Sequence, residues 1–192
     1  MKNILTNALA YYGEKYKLID APYIVDVDVS AETKPTFVED LHHNKDKVYV
    51  GSGEQSFIQL MKENKLSDGK SMCLTPCYRE ESVLDDTHLK MFMKLELIDY
   101  RYKWSVRDEF MKEQLVALSD MLLNAHKFYK NNISVYDEIE IIKSDANQYD
   151  IVINDYEVGS YGIRETSFGR FIYGTGLALP RFNQSIAQVQ NL

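Results

Sequence analysis

Apolar positions recur at helical spacing in a few stretches of this chain and at alternate positions in much of the rest. From Asn3 to about Lys17, Ile4, Leu5, Ala8, Leu9 and Tyr12 fall on one side of a helix. GEQSFIQLMKENKL predicts a second helix with Phe57, Leu60 and Met61 together. The clearest helix runs from about Val106 to Lys130, with Met111, Leu115, Leu118 and Leu122 as a packing stripe. Ser105 with Asp108 resembles a capping box at its start. KLIDAPYIVDVDV alternates as an extended segment in which Pro22 favours an edge or a bend. From Ser30 to Lys47 the pattern weakens into a polar connection, and KVYVG then reads as a strand. SMCLTPCYREE and HLKMFMKLELIDYRYKW predict two long strands on either side of an acidic turn. ISVYDEIEIIK, QYDIVIN and YEVGSYGIRE follow as strands, and RFIYGTGLAL leads into a short helix beginning near Pro180. Hairpins among helices imply an α+β fold, an antiparallel β-sheet flanked by helices, in one domain over residues 1–192.

Composition narrows the class. At 192 residues, 45% hydrophobic and 27% charged, the chain builds its own core and is not a disordered polymer. A net charge of -7 argues against DNA and against broad, non-specific nucleic-acid binding, while leaving room for a local basic pocket. No uncharged apolar run approaches the roughly 18 residues of a membrane helix. The start MKNILTNALAYYGEKY lacks a signal-peptide pattern, so the expected location is cytoplasmic with no membrane partner. Cys73 and Cys77 share one face of a strand, too far apart for a relaxed disulfide, and have no zinc-completing partners. His42-His43 also lacks a ligand-spaced partner and reads as solvated loop.

Chemistry concentrates in three places. Pairing Glu81 with His88 across the acidic turn sets Arg79 opposite Lys90 and Cys77 opposite Phe92. Arg79 and Glu81 then share a sheet face with His88, Phe92, Lys94 and Glu96. Such a face offers a guanidinium for phosphate, an acceptor for an exocyclic amine and a ring for stacking, which suits a nucleotide. From the hairpin alone, a solvated face of mixed charge explains it as well, and a one-residue slip would disperse it. In YDIVINDYEVGSYGIRE, a turn at Asn154-Asp155 pairs Ile153 with Tyr156 and brings Asp150 and Glu157 to one face. Two carboxylates suit Mg²⁺ completed by phosphate oxygens. Arg164 has the wrong parity to join them unless Gly159 or Gly162 supplies a bulge, and a plain polar hairpin is the alternative. In FIYGTGLALPRF, Gly174 and Gly176 allow close approach to the backbone. Pro180 suits a first helical turn, and Arg181 then sits at a strand-to-helix junction.

Together and in this order, these segments resemble the catalytic core of class II aminoacyl-tRNA synthetases. CYREE looks like the family's second motif, and THLKMFMKLE is similar to its returning strand, usually written RHLxEFxxLE. DIVINDYEVGSYGIR is similar to the aspartyl-type segment DLVLNGYELGGGSIR, and GTGLALPR looks like a loose third motif. The resemblance spans roughly residues 15 to 190, with Pro22 standing for the proline of the first motif. It implies ATP and Mg²⁺ as cofactors. Arg79 would hold the α-phosphate and the amino-acid carboxylate, Glu81 the adenine amino group, and His88 the region of the terminal phosphates. Phe92 would stack on adenine with Arg181 on the other face, and Asp150 and Glu157 would bind the metal. Glu54 or Gln55 matches the substrate-reading stretch, Glu96 lines the same pocket, and Arg164 corresponds to the arginine that reads a side-chain carboxylate. Thr87, Met91 and Pro180 depart from the family pattern, which normally has Arg, Glu and an acidic residue there.

Among relatives that do not act on tRNA, the ammonia-dependent asparagine synthetase is similar in its GIR segment and in IAQVQ near the end. The resemblance therefore implies an adenylate-forming ligase that activates an acidic, aspartate-like amino acid. The acceptor would be ammonia, an amine or another non-tRNA group, since no anticodon-binding domain is expected here. A non-catalytic paralogue that binds a nucleotide, amino acid or protein is one alternative. A minimal synthetase charging tRNA through its acceptor stem is the other. Class II cores usually dimerise through the first-motif region, so a homodimer is expected by resemblance.

Overall fold

Asn3 opens the first helix, α1 (Ile4–Gly13), by accepting the Leu5 N–H on its side-chain oxygen at 3.1 Å. There follow β1 (Lys17–Leu18), β2 (Ile24–Asp26), α2 (Val27–Ala31), β3 (Lys47–Tyr49), α3 (Gly53–Lys62) and two ten-residue strands, β4 (Gly69–Tyr78) and β5 (Met91–Tyr100). Next come α4 (Tyr102–Val106), a 3-10 turn (Asp108–Phe110) and α5 (Met111–Lys130). The chain closes with β6 (Ile139–Asp145), β7 (Gln148–Ile153), β8 (Tyr156–Thr166), β9 (Gly169–Leu179) and α6 (Arg181–Ala187). This computed structural model describes residues 3–35, 39–79, 89–106 and 108–187, with the backbone alone at 106, 108 and 187.

The described strands form a seven-stranded sheet in the order β1-β4-β5-β9-β8-β7-β6, antiparallel except for the β1–β4 pair, beside a small β2–β3 ribbon. The expected α+β architecture is the one observed. Because side chains alternate along each strand, the sheet feeds two cores. On one face Leu95, Leu97, Ile151, Ile153, Tyr161, Ile172 and Leu177 pack under α1, α5 and α6. On the other, Cys73, Cys77, Ile98, Phe171 and Tyr173 pack under α3 and the β2–β3 ribbon. That second cover is short. It leaves the middle of the sheet open over β5, β9 and β8.

Three predicted boundaries move. The second long strand ends early, at Tyr100, because Tyr102–Val106 turns helical, and the long helix starts late, at Met111. Ser105 accepts the Arg170 N–H at 2.9 Å, so its hydroxyl ties α4 to β9 instead of capping α5. KLIDAPYIVDVDV is extended only in part, since Val27–Ala31 turns helical. Val25 and Val29 are both fully buried there, a spacing of four that a strand would send to one face and the helical turn delivers to α3. The cysteines behave as expected, both free and buried. No described helix is long and apolar enough to cross a membrane.

Asp26 anchors the ribbon to α3. Its carboxylate receives Lys47 at 2.9 Å and Lys62 at 3.0 Å, with Gln59 at 3.2 Å. The Lys47 and Lys62 hydrogen bonds hold its pKa down, from 3.8 to about 2. A depressed carboxylate contributes stability above its unfolded value and loses it as pH falls through the folded one. The side chain is 28% exposed, so screening leaves about 1 kcal/mol of the roughly 2 kcal/mol ceiling. Asp26→Asn is accordingly expected to lower the urea-denaturation free energy by about 1 kcal/mol at pH 6, with the difference shrinking as pH falls toward about 2 and vanishing below it.

Candidate active site

The open part of the sheet face is set by the β4–β5 register. Cys77 lies opposite Phe92 and Tyr78 opposite Met91, and the Arg79 N–H continues the ladder to the Lys90 carbonyl at 3.1 Å. This is the register expected from the sequence. It puts Arg79, Phe92, Lys94 and Glu96 on the face away from α5. The Arg79 guanidinium lies over the Phe92 ring, 5.1 Å from its centre. Glu81, Thr87 and His88 lie outside the described residues.

Above these residues is an open cleft, about 600 Å³ of space when counted out to its mouth. Arg79, Phe92 and Lys94 form one wall, Glu157 and Gly159 of β8 another, and Pro180-Arg181 the rim. Arg181 opens α6 one residue after β9, with Pro180 just before the helix instead of inside its first turn, and pairs with Glu157 at 3.6 Å. Four of the expected site residues (Arg79, Phe92, Glu157 and Arg181) therefore border one cavity. Gly174 and Gly176 do not. A Cβ on Gly174 would collide with Tyr161 and Met121, and one on Gly176 would crowd Tyr12 and Leu95, so both serve packing under α1 and α5.

The β7–β8 hairpin reaches the same face through two local devices. Asn154 and Asp155 both have positive φ, 49° and 68°, the backbone of a tight hairpin turn, and Ile153 pairs with Tyr156. The register then jumps from Val152–Glu157 to Ile151–Gly159, leaving Val158 as the extra residue, buried in the core under α5. This bulge cancels the parity conflict noted from the sequence. Asp150, Glu157 and Arg164 all face the open side. Asp150 lies opposite Ser160, and its Oδ1 is buried without a hydrogen-bond partner. Two carboxylates on one face, one of them with an unsatisfied oxygen, are the donor type Mg²⁺ takes together with phosphate and water oxygens, and of the two only Glu157 borders the cleft. Among the described residues no cluster of three potential metal ligands exists.

Beside the cleft, the start of α3 builds a charged chamber. Ser52 caps the helix by accepting the Glu54 N–H at 3.3 Å, and its hydroxyl donates to Glu96 Oε2 at 2.9 Å. Gly53 permits this closeness, since a Cβ there would lie 2.9 Å from Thr75 Oγ1 and 3.0 Å from Glu96 Cβ. Arg164 donates from Nε to Glu54 Oε1 at 2.7 Å and from Nη2 to Oε2 at 3.5 Å. Its guanidinium also stacks on Tyr173, 4.7 Å from the ring centre. Burial works against the charge on Arg164, but Glu54 outweighs it and the pKa is raised. Burial and then Glu54 push the Tyr173 hydroxyl up to about 12. Gln55 takes no part. It accepts the Gly51 N–H at 2.8 Å and donates to Ser30, a buried brace between α3 and α2. Of the two candidates, only Glu54 meets another expected site residue.

Glu96 is fully buried, which raises its pKa, and Lys94 lies 3.0 Å from its Oε2. Lys94 thereby joins the chamber to the cleft that it also lines. Its parity with Phe92 and Glu96 was visible in the sequence, although nothing there assigned it a role. Tyr173 was missed altogether; its pairing opposite Gly162 is a long-range fact with no local signal.

No family model and no curated protein matches this chain. Solved structures do. A pyrrolysyl-tRNA synthetase of Desulfitobacterium hafniense, PylSc, is similar at a TM-score of 0.64 and 19% identity, over 94% of this chain and 66% of that one. A second crystal structure of pyrrolysyl-tRNA synthetase from the same organism is similar at a TM-score of 0.63 and 19% identity, with the same coverage. The chain spans 66% of the length of these neighbours. Its fold is that of a class II aminoacyl-tRNA synthetase catalytic domain.

The Glu54–Arg164 pair is partly buried, with side-chain exposures of 6% and 31%. Glu54→Gln is expected to cost about 1–2 kcal/mol in urea denaturation, because the guanidinium loses its counter-charge in a desolvated place. Adding Arg164→Met is expected to recover part of that loss. Strictly additive losses would show that the two side chains do not stabilise each other.

Proposed function

We propose that this protein is an ATP- and Mg²⁺-dependent ligase that activates an amino acid as its aminoacyl adenylate. The observation that carries this is the convergence of Arg79, Phe92, Glu157 and Arg181 on one cleft, in a class II synthetase fold. Adenine would stack on Phe92 with Arg181 over its other face. Arg79, displaced from the ring, would hold the α-phosphate, and Glu81 and His88 would complete the nucleotide site. Asp150 and Glu157 would hold Mg²⁺, which supplies charge neutralisation at the phosphates. A carboxylate oxygen of the amino acid attacks the α-phosphorus, the bond to the β-phosphate oxygen breaks, and pyrophosphate leaves. Fixed cations offset the charge that accumulates in that step.

The amino acid would occupy the chamber of Glu54, Glu96 and Arg164. Glu54 takes the Nε edge of Arg164 and leaves most of its Nη donors for a ligand, which supports a substrate with an acidic, aspartate-like side chain. The acyl group then passes to ammonia, an amine or another non-tRNA acceptor, whose nitrogen attacks the carbonyl carbon as AMP leaves. A homodimer through the region around Pro22 belongs to the same proposal.

Pyrophosphate exchange into ATP across a panel of amino acids with Mg²⁺ tests it. The expected result is exchange with an acidic amino acid and a loss of at least about 100-fold in Arg79→Ala. Absence of exchange with every amino acid, in folded protein, would overturn the ligase proposal. Exchange confined to apolar amino acids would overturn the acidic preference alone. Charging of total tRNA would overturn the non-tRNA acceptor.

A further inference from the structure

Phe92, Lys94 and Glu96 occupy successive same-face positions on β5, where alternate residues lie about 6.8 Å apart. Phe92 faces the cleft, and Glu96 sits beneath the chamber of Glu54 and Arg164. Lys94 lies between them, borders the cleft and is 16% exposed. An ammonium has three N–H donors. Glu96 Oε2 at 3.0 Å and Ser52 Oγ at 3.4 Å take two of them. Among the described residues the third has no partner, on the side chain that lines the cavity beside Arg79, Thr175 and Arg181. Meanwhile Arg79 rests on Phe92 and Arg181 pairs with Glu157 at the exposed rim, whereas Lys94 is held in place by Glu96 and Ser52.

We infer that Lys94 is a fixed anion-binding residue of the cleft that contacts the α-phosphate of the nucleotide, where the nucleotide and amino-acid halves of the site meet. This rests on the nucleotide reading of the cleft given above. Glu96 and Ser52 act as positioning residues. They hold the Lys94 ammonium at one place along β5, and Glu96 prevents an uncompensated cation in the empty site. Burial raises the Glu96 pKa, yet Lys94 at 3.0 Å and the Ser52 hydroxyl both favour its ionised form. The partnerless Glu96 Oε1 leaves that balance sensitive to what binds above it.

The contact is isolated by comparing AMP with adenosine, which differ only in the phosphate. Calorimetry on the intact protein and on Lys94→Gln and Lys94→Arg, each checked for an unchanged melting profile, gives the two affinities. The native protein is expected to bind AMP more tightly than adenosine. Lys94→Gln is expected to reduce that preference about 10-fold or more while adenosine affinity stays within about 2-fold. Lys94→Arg, which keeps the charge, is expected to retain part of it. An unchanged AMP preference in Lys94→Gln, with both ligands still bound, would overturn the inference and leave the nucleotide site standing. Equal loss of both ligands in Lys94→Gln, or a loss in Lys94→Arg as large as in Lys94→Gln, would assign the residue a packing role and overturn it too. Failure of the native protein to bind either ligand would remove the nucleotide site, and this inference with it.

Discussion

A slip of one residue between β4 and β5 would put Arg79 on the opposite face of the sheet from Phe92, Lys94 and Glu96 and so divide the wall of the cleft. The register is held along ten paired residues and extended by the Arg79–Lys90 hydrogen bond. It is also fixed from both sides by packing, since Leu95 and Leu97 are fully buried on one face and Ile98 on the other. Charge alone would not hold it. The two cores do, and the site face inherits its order from them.

The same face carries more ionised chemistry than a sheet normally tolerates, and the chain resolves this by internal pairing. Arg164 meets Glu54, Lys94 meets Glu96, and Arg181 meets Glu157. Arg79 has an aromatic ring in place of a carboxylate. Glu54 and Glu96 satisfy cations that would otherwise be desolvated beside one another, while the Arg181–Glu157 pair is half-exposed. On the proposed function, a ligand carrying phosphates and a carboxylate would replace the internal partner at the rim, where exposure is high, and add to it in the chamber, where exposure is low. The short cover of α3 makes this gradient: the chamber lies against the helix start, and the cleft lies beyond it.

Much of this was legible in the sequence because it depends on local periodicity. Alternation in CYREE and HLKMFMKLE, with an acidic turn between them, gives the hairpin register, and Asn154-Asp155 gives the second turn. The need for a bulge near Gly159 followed from the parity of Glu157 and Arg164. What escaped depends on partners distant in the chain. The capping role expected of Ser105 failed because Arg170 takes its hydroxyl. Glu54 and Gln55 differ in fate because adjacent helical residues point about 100° apart, one toward Arg164 and the other toward Ser30. What approaches Gly174 and Gly176 stayed open because a strand pattern does not say which face is which, and the structure puts Tyr161, Met121, Tyr12 and Leu95 there. The family resemblance supplied the order of the motifs, and the fold agrees with it at 19% identity.

The central claim is that a nucleotide lies across this sheet face with its base on Phe92. A crystal structure with a non-hydrolysable ATP analogue and Mg²⁺ tests it most directly. The account predicts the adenine ring stacked on Phe92, the Arg79 guanidinium moved off that ring onto phosphate, and Arg181 separated from Glu157. A nucleotide bound elsewhere, or Arg79 still seated on Phe92 with the analogue present, would contradict it.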